Sequence, residues 1–397
     1  MKPNLRHLRV FLAAFDTGSI TQAASQCFVS QPAVTQSIHK LEHDYASPMF
    51  DRTPQGLFPT EAGRILAARV RRAFAMLDPV LGDLSLRLRH TATASQLTAL
   101  IAATETENFT LAARRLGLAQ PSVHRAVSDL EKDAGRSLFE RTSRGVHATR
   151  PAARLAQAAQ LAFAELEQAE ADLGEMSGRE VGRIVVGAMP LSRSSILPEA
   201  IARFRRRRTT LPIRALDGPY DDLIMGLRRG EVDFLVGAMR SPSPVGDIVQ
   251  ETLFDDELIV VCRRGHPLLS QKDLSPSPLV MFPWVVNTLG TPARNMFEKV
   301  FSGTARPASL VETGSMVLMR ELLQVSDHLG FISKLQIRSD LKHGAVVQLP
   351  ALLPDTARPI GLTFRQGWMP TSAQRDLIED IRVATCAMSG RSSAVSL

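Results

Sequence analysis

The chain has 397 residues, 44% of them hydrophobic, with a formal net charge of +7. That composition is that of an ordinary soluble globular protein, and the length suggests about two to four domains with sizeable cores. A chain that is neither secreted nor membrane-spanning is expected, because the apolar run Val10 to Phe15 is too short for a signal peptide and no segment offers the roughly 18 apolar residues a bilayer needs.

The cysteines, Cys27, Cys262 and Cys386, are odd in number and far apart. They form neither a metal-ligand spacing nor a disulfide framework, which fits a reducing cytoplasm. The charge is unevenly placed. Residues 1 to 151 hold 19 Lys and Arg against 13 Asp and Glu, and the remaining 246 hold 28 against 27. A basic excess on small domains is an electrostatic footprint for phosphate backbones.

From the N-terminus, Leu8, Phe11, Leu12 and Phe15 have helical spacing that ends at Gly18-Ser19. A short helix follows from Thr21 to Cys27. Ser30 is placed to cap a third helix with Pro32 in its first turn, where the missing N–H costs nothing. Val34, Ile38 and Leu41 form the buried stripe of that helix, so Gln31, Thr35, Gln36 and His39 point outward. A short helix, a tight turn and a helix with a polar outer face make a helix-turn-helix. Phe50 to Thr60 then reads as two short strands around a turn, a wing, with Arg52 at its base in reach of a phosphate.

After a linker the same pattern returns. Leu8 to Gly63 matches Leu97 to Ala152 at a constant offset of 89 positions without a gap, with 18 identities in 56 pairs. These include Ala23-Ala24/Ala112-Ala113, Gln31-Pro32/Gln120-Pro121, Leu41-Glu42/Leu130-Glu131 and Arg52-Thr53/Arg141-Thr142. Two copies are too few for a solenoid, so they are two small domains in tandem.

Ser30-Gln31-Pro32-Ala33-Val34, Leu41-Glu42, Phe50-Asp51-Arg52-Thr53 and Thr60-Glu61-Ala62-Gly63 resemble the winged helix-turn-helix signature of LysR-type transcriptional regulators. Gln120-Pro121-Ser122-Val123, Leu130-Glu131, Leu138-Phe139-Glu140-Arg141-Thr142 and Arg144-Gly145-Val146 fit the same signature. Members of that family usually carry one such domain, a linker helix and an effector-binding domain; this chain departs by holding two DNA-binding modules. Their outer faces differ. Gln31, Thr35, Gln36 and His39 suit adenine edges and thymine methyls, whereas Gln120, Ser122, His124 and Arg125 bring an arginine suited to guanine or a phosphate. Ala119 stands where the first copy has the capping Ser30, a loss of about 1 kcal/mol in typical helices.

Both linkers have a heptad rhythm. In the first, Pro79 and Gly82 interrupt the series Leu66, Val70, Ala73, Leu77, Leu81, Leu84, Leu88, which predicts a kinked helix packed within its own chain. In the second, Leu155, Ala159, Ala162, Leu166, Ala169 and Leu173 are unbroken, which predicts the intermolecular dimer helix.

From Gly182 strands alternate with helices: strands at 183–188, 213–216 and 232–238, helices at 196–207 and 220–229, and a further strand at 257–264. This argues for a mostly parallel sheet covered on both faces. Gly230 to Gly237, and the strand Glu257 to Arg264 followed by Gly265-His266-Pro267-Leu268, resemble the family's effector domain, which implies two subdomains like those of type 2 periplasmic binding proteins, with the chain crossing near 254 and returning near 347. Ligands of open α/β sheets sit beyond the carboxyl ends of strands, near helix N-termini. That selects Ser192, Ser194, Ser195, Gly237, Asn287, Thr288 and Thr313 as candidate contacts. The run Arg205 to Arg208 reads as the solvated end of a helix, and His266 before Pro267 as structural.

The expected fold is α/β overall. It comprises a winged helix-turn-helix at 1–63, a kinked linker at 64–93, a second winged domain at 94–151, a dimerisation helix at 152–178 and an effector domain at 179–390. In the last, lobe I is 182–253 with 347–390 and lobe II is 254–346. No hydrolase, metalloprotease or phosphate-loop motif is present, so no catalytic residue, metal or cofactor is expected. The expected function is sequence-specific DNA binding modulated by a small effector, with duplex DNA, the effector (an organic anion among the candidates), RNA polymerase and further copies of the chain, as dimer or tetramer, as partners. The alternative is a ligand-binding or enzymatic α/β protein whose basic modules mediate protein contacts.

Overall fold

The computed structural model describes residues 4–53, 56–143, 145–242, 245–272, 274–303, 306–353 and 356–388. They fall into two compact units. Residues 1–183, with 210–212 and 228–231, form one; the rest form the other.

The first unit is built from the same series of elements twice. Helices α1 (Leu5–Thr17), α2 (Ile20–Cys27) and α3 (Gln31–Tyr45) are followed by strands β1 (Phe50–Thr53) and β2 (Gly56–Pro59), the long helix α4 (Glu61–Leu84) and the one-turn helix α5 (Leu88–Thr91). Then come α6 (Ala94–Thr106), α7 (Phe109–Leu116), α8 (Gln120–Ala134), β3 (Phe139–Thr142), β4 (Gly145–Ala148) and α9 (Arg150–Met176). Local chemistry sets the boundaries. Asn4, Ser19, Ser30 and Thr60 accept N–H bonds at the starts of α1 to α4, and Thr93, Asn108 and Thr149 do so for α6, α7 and α9. Ala119 makes no such bond for α8. Phe11, Val34 and Ile38 are essentially fully buried, each stabilising the first module by about 2 kcal/mol. The second module's core is made of smaller side chains, among them Ala99, Ala102, Ala103, Val123 and Val127.

Glu42 and Glu131 tie recognition helix to wing. The Glu42 carboxylate accepts from the Met49 N–H at 3.0 Å, and Glu131 accepts from Leu138 at 2.7 Å and Phe139 at 3.2 Å. The Leu-Glu pair of each copy is therefore part leucine core and part wing anchor. In the wings, Arg52 pairs in register with Leu57 and Arg141 with Val146.

Of the two linkers, one differs from expectation. Helix α4 runs through Pro79 and Gly82 to Leu84 and packs within its own chain, against α9. Gly82 leaves room for the Arg89 guanidinium, whose Nε donates to the Asp78 carbonyl at 3.1 Å. Helix α9, expected to pair with a second copy, instead packs along α4 of its own chain. Its seam, Leu155, Ala159, Ala162, Leu166, Ala169 and Leu173, is already 96% or more buried in the single chain. That face is not available to a second molecule.

The second unit holds β5 (Ile184–Ala188), a π-turn at Ser192–Ile196, α10 (Leu197–Phe204), β6 (Ile213–Leu216), α11 (Tyr220–Arg229), β7 (Phe234–Ala238) and the long β8 (Ile248–Cys262). It continues with α12 (Pro276–Leu279), β9 (Trp284–Val286), α13 (Pro292–Val300), β10 (Leu310–Glu312), α14 (Met316–Val325), β11 (Leu329–Ser333) and α15 (Arg338–His343). It ends with β12 (Val347–Gln348), β13 (Ala357–Arg365) and α16 (Ser372–Met388). The strand order is β10-β9-β11-β8-β13-β7-β5-β6, with β12 on β8. Strands β6, β5 and β7 are mutually parallel, as are β10, β9 and β11, and the long antiparallel pair β8 and β13 joins the two groups. Strand β8 changes partner along its length, pairing with β13 from Ile248 to Glu257 and with β11 from Leu258. Arg205 to Arg208 is not merely a solvated helix end, since Arg207 pairs with Asp380 and Arg208 with Asp376 on α16.

Candidate nucleic-acid interface and ligand cavity

The start of α3 is fixed by its Ser30 cap and by Val34, Ile38 and Leu41, which turn one face inward. Gln31, Pro32, Gln36 and His39 are exposed and Thr35 is half-buried; with Ile20 and Thr21 they line one shallow concavity. Buried Ser37 is spent on its own helix, its hydroxyl donating to the Ala33 carbonyl. On α8, Gln120, Ser122 and Arg125 are exposed. His124 is not a free outward group. Its ring meets Phe109 edge-on at 5.3 Å between centroids and its Nδ1 lies 3.4 Å from the Ser128 hydroxyl. Arg52 and Arg141 are exposed on the wings, and Arg144 lies outside the described residues.

Two further arginines escaped the sequence reading. Arg114 and Arg115 end α7, both exposed, beside the turn into the recognition helix. Their first-copy counterparts are Ser25 and Gln26, so with Arg125 in place of Gln36 the second copy carries three more arginines on α7 and α8, of which Arg115 pairs with Glu105 at 2.5 Å. Only a comparison of α2 with α7 residue by residue exposes that signal.

In the second unit a cavity of about 420 Å³ opens at the carboxyl ends of β5, β7 and β9. Its walls come from both strand groups: Met189, Leu191, Arg193, Tyr220 and Arg240 from one, Asn287, Thr288, Thr291 and Gly314 from the other, with Ser333, Gln336 and Arg358 beside β8. Asn287 and Thr288 line it as expected from their position after β9. The serines do not. Ser192, Ser194 and Ser195 donate to the carbonyls of Met189 and Leu191, so their hydroxyls stabilise the π-turn, and the lining falls to Met189, Pro190, Leu191 and Arg193. Gly237 is a packing glycine, since a Cβ there would lie 2.4 Å from Met189, and the next residue, Ala238, reaches the cavity. Thr313 accepts the Ser315 N–H at 3.0 Å while Gly314 forms the wall.

The polar groups of this cavity differ in how far they are satisfied. Arg193 is paired with Asp217 at 2.7 Å, and Arg358 with buried Asp256 at 3.0 Å. Burial pushes the Asp256 carboxyl upward, opposed by Arg358 and by the Ser333 hydroxyl that donates to it at 2.7 Å. Arg240 stacks its guanidinium 4.4 Å from the Tyr220 ring centre and donates from Nη1 to the Gly290 carbonyl. Its Nε and the Tyr220 hydroxyl are buried without a hydrogen-bond partner. Buried donors of this kind ordinarily find an acceptor.

Among the described residues no group of His, Cys, Asp and Glu could hold a metal ion, and no helix is long and apolar enough to cross a membrane. His266 is buried, with Nδ1 accepting the Leu268 N–H at 3.2 Å and its ring 4.7 Å from Phe282.

Comparison with known proteins fits both units. The model of the LysR substrate binding domain matches residues 177–384, and that of the bacterial regulatory helix-turn-helix protein of the lysR family matches at 5–64 and again at 94–153. The HTH-type transcriptional regulator GalR of Pseudomonas putida is 36% identical over 385 residues, 96% of this chain and 97% of that protein. YdcI of Escherichia coli is 30% identical over 301 residues, which are 95% of that protein but 75% of this chain. In fold, ArgP from Mycobacterium tuberculosis (TM-score 0.56, 17% identity, 73% of this chain and 96% of that one) is similar. So is a full-length OxyR variant from Pseudomonas aeruginosa (TM-score 0.54, 21% identity, 73% and 97%). The chain belongs to the LysR family of DNA-binding transcriptional regulators, joining helix-turn-helix reading to an effector-binding domain.

Proposed function

We propose that both winged modules read duplex DNA, in tandem and with different preferences. The carrying observation is that two copies of one fold present unlike outer faces on equivalent helices, Gln31, Thr35, Gln36 and His39 on α3 against Gln120, Ser122 and Arg125 on α8. Amide side chains suit adenine, and arginine suits guanine or phosphate. Arg52 and Arg141 hold the wings to the backbone of the duplex, and Arg144 and His124 complete the second surface, His124 as a support for α8. Two readers on one chain mean that a dimer carries four and covers a full operator without a tetramer.

The effector is a small organic anion held in the cleft between two lobes of a fold like that of type 2 periplasmic binding proteins. Support comes from the unsatisfied Arg240 Nε and Tyr220 hydroxyl at the cavity and from Asn287 and Thr288 across it. LysG from Corynebacterium glutamicum, similar in fold at a TM-score of 0.52, holds its effector Arg. Closure of the lobes changes the spacing of the readers, a coupling between two binding equilibria that acts on RNA polymerase recruitment in the cytoplasm.

Footprinting tests the tandem reading. Gln36→Ala is expected to erase protection over one part of the operator and Arg125→Ala over another. A footprint that either variant leaves wholly unchanged would remove that module from the reading surface.

A further inference from the structure

Helices α4 and α9 run antiparallel, as their cross-helix pairs show: Arg69 meets Gln168 and Asp172, Arg72 meets Glu165, and Asp83 meets Arg154. Numbers rise on one helix as they fall on the other. The two helices are also counterparts in the repeat, residue for residue at the offset of 89, so Phe74 corresponds to Phe163. Both phenylalanines pack into the shared core at the middle of the pair.

One half of this approximate two-fold arrangement carries a buried polar cluster, and the other has the exposed pair of Arg154 with Asp83. Arg69, 1% exposed, donates to Gln168 at 2.8 Å, Asp172 at 2.8 Å and Glu165 at 3.1 Å. Arg72 grips the same Glu165, 3% exposed, through two bonds of 3.0 Å. The counterparts of Arg69 and Arg72 on α9 are Ala158 and Leu161; those of Glu165 and Gln168 on α4 are Met76 and Pro79, and only Asp172 has a like counterpart, Asp83.

This asymmetry decides which helices can pair. If α4 met α4 of a second chain in the same arrangement, Arg72 would face Met76, and Arg69 would exchange Glu165 and Gln168 for Met76 and Pro79, keeping only Asp83 in the place of Asp172. If α9 met α9, the buried Glu165 carboxylate would face Ala158 and Leu161 with no cation in reach. The α9 pair buries a charge without its partner and the α4 pair strips both arginines of Glu165, which are unfavourable, whereas the unlike pair satisfies every member. We infer that Arg69, Arg72, Glu165, Gln168 and Asp172 are a pairing key that makes the two linker helices of one chain select each other over their like on a second chain. The two winged modules of a chain are thereby held as a closed internal pair, and assembly between chains is left to other surfaces. A single a-position polar group specifies partner choice in coiled coils in the same way.

The test exchanges charges in the full-length chain. One version carries Arg69→Glu with Arg72→Glu, a second Glu165→Arg with Asp172→Arg, and a third all four. Each two-site version is expected to melt lower by on the order of 10 °C, and the four-site version to regain most of the loss. Co-expressing the two half-exchanged chains is expected to give no recovery, because each is mismatched within itself. Recovery in the mixture would place the pairing between chains, and wild-type melting of either half-exchanged chain would show that the cluster selects nothing; both overturn the inference. A fourth version, with Arg69, Arg72, Glu165, Gln168 and Asp172 all changed to Met, decides the matter should the four-site chain not fold. It is expected to stay folded and to increase in mass with concentration by light scattering, beyond the wild type. An unchanged mass at all concentrations sinks the idea. None of these readouts uses DNA, so they stand apart from the footprinting that tests the two readers.

Discussion

Phe28 and Gly117 occupy the same place in the two copies, closing α2 and α7, and both adopt the left-handed backbone, with φ of 54° and 65°. The same exchange occurs at Ala46 and Gly135, with φ of 49° and 66°, and in reverse at Gly18 and Glu107, with φ of 63° and 50°. The fold places a left-handed residue at the end of each of the first three helices of a copy, and each copy supplies glycine at only some of them. A residue with a Cβ is strained there by roughly 1 kcal/mol.

Replacing Phe28 by glycine is therefore expected to stabilise the first module by about 1 kcal/mol, although it deletes a large apolar side chain. That side chain is 91% exposed and contributes little to the core. Chemical denaturation of the full chain measures it. A lower midpoint for Phe28→Gly would mean that the ring packs against something in solution. Ala46→Gly is expected to act in the same direction.

Much of this architecture was legible in the residues because it rests on local signals. Ser30, Pro32 and the stripe Val34, Ile38, Leu41 fix α3 whatever surrounds it, and the offset of 89 positions carries that reading to α8. What escaped depends on partners remote in sequence. The heptad of α9 says that a face will be buried but not by which helix, and the answer lies 103 positions away in the contact of Arg69 with Asp172. The serines after β5 fit a ligand site by position, yet a π-turn takes their hydroxyls, and Arg240 and Tyr220 are among the residues that line the cavity instead. A hydroxyl near a helix start serves a cap or a ligand equally well, and only the fold distinguishes them.

The second reading surface should depend more on salt than the first. It carries Arg114, Arg115 and Arg125 where the first has Ser25, Gln26 and Gln36. Each phosphate contact contributes roughly one unit to the slope of log affinity against log salt. Arg114→Ala is expected to flatten that slope by about one unit with little change in sequence preference. Arg125→Ala is expected to weaken binding by about 1 to 3 kcal/mol and relax preference at one base pair. Anisotropy titrations at several salt concentrations separate the two, and equal slopes for wild type and Arg114→Ala would contradict the first expectation.

The cavity makes a chemical prediction. Arg240 and Tyr220 line it, and the Arg240 Nε and the Tyr220 hydroxyl are buried without a hydrogen-bond partner. A carboxylate that satisfies Arg240 gains about 1.5 to 3 kcal/mol over a neutral ligand. In a melting screen with benzoate, succinate and their amides, the acids are expected to raise the midpoint and the amides to fail. Arg240→Met should weaken the best acid by roughly 10- to 100-fold and Tyr220→Phe by less. Amides that bind as well as acids would count against an anionic effector.

Acidification should weaken the second unit through His266. Burial holds its pKa below the ordinary imidazole value, despite the nearby Asp327. The unfolded chain therefore takes up a proton before the folded one does. Stability from this group is fully present above the ordinary value near 6.5 and is lost as pH falls below it. The neutral ring also accepts the Leu268 N–H at Nδ1, a bond that protonation removes. Asparagine can supply a comparable acceptor without titrating. The melting midpoint of the wild type is accordingly expected to drop more between pH 7 and pH 5 than that of His266→Asn, which should be the less stable of the two at pH 7 because it loses the ring packing against Phe282. Equal drops in both proteins would show that His266 titrates alike in the folded and unfolded chain.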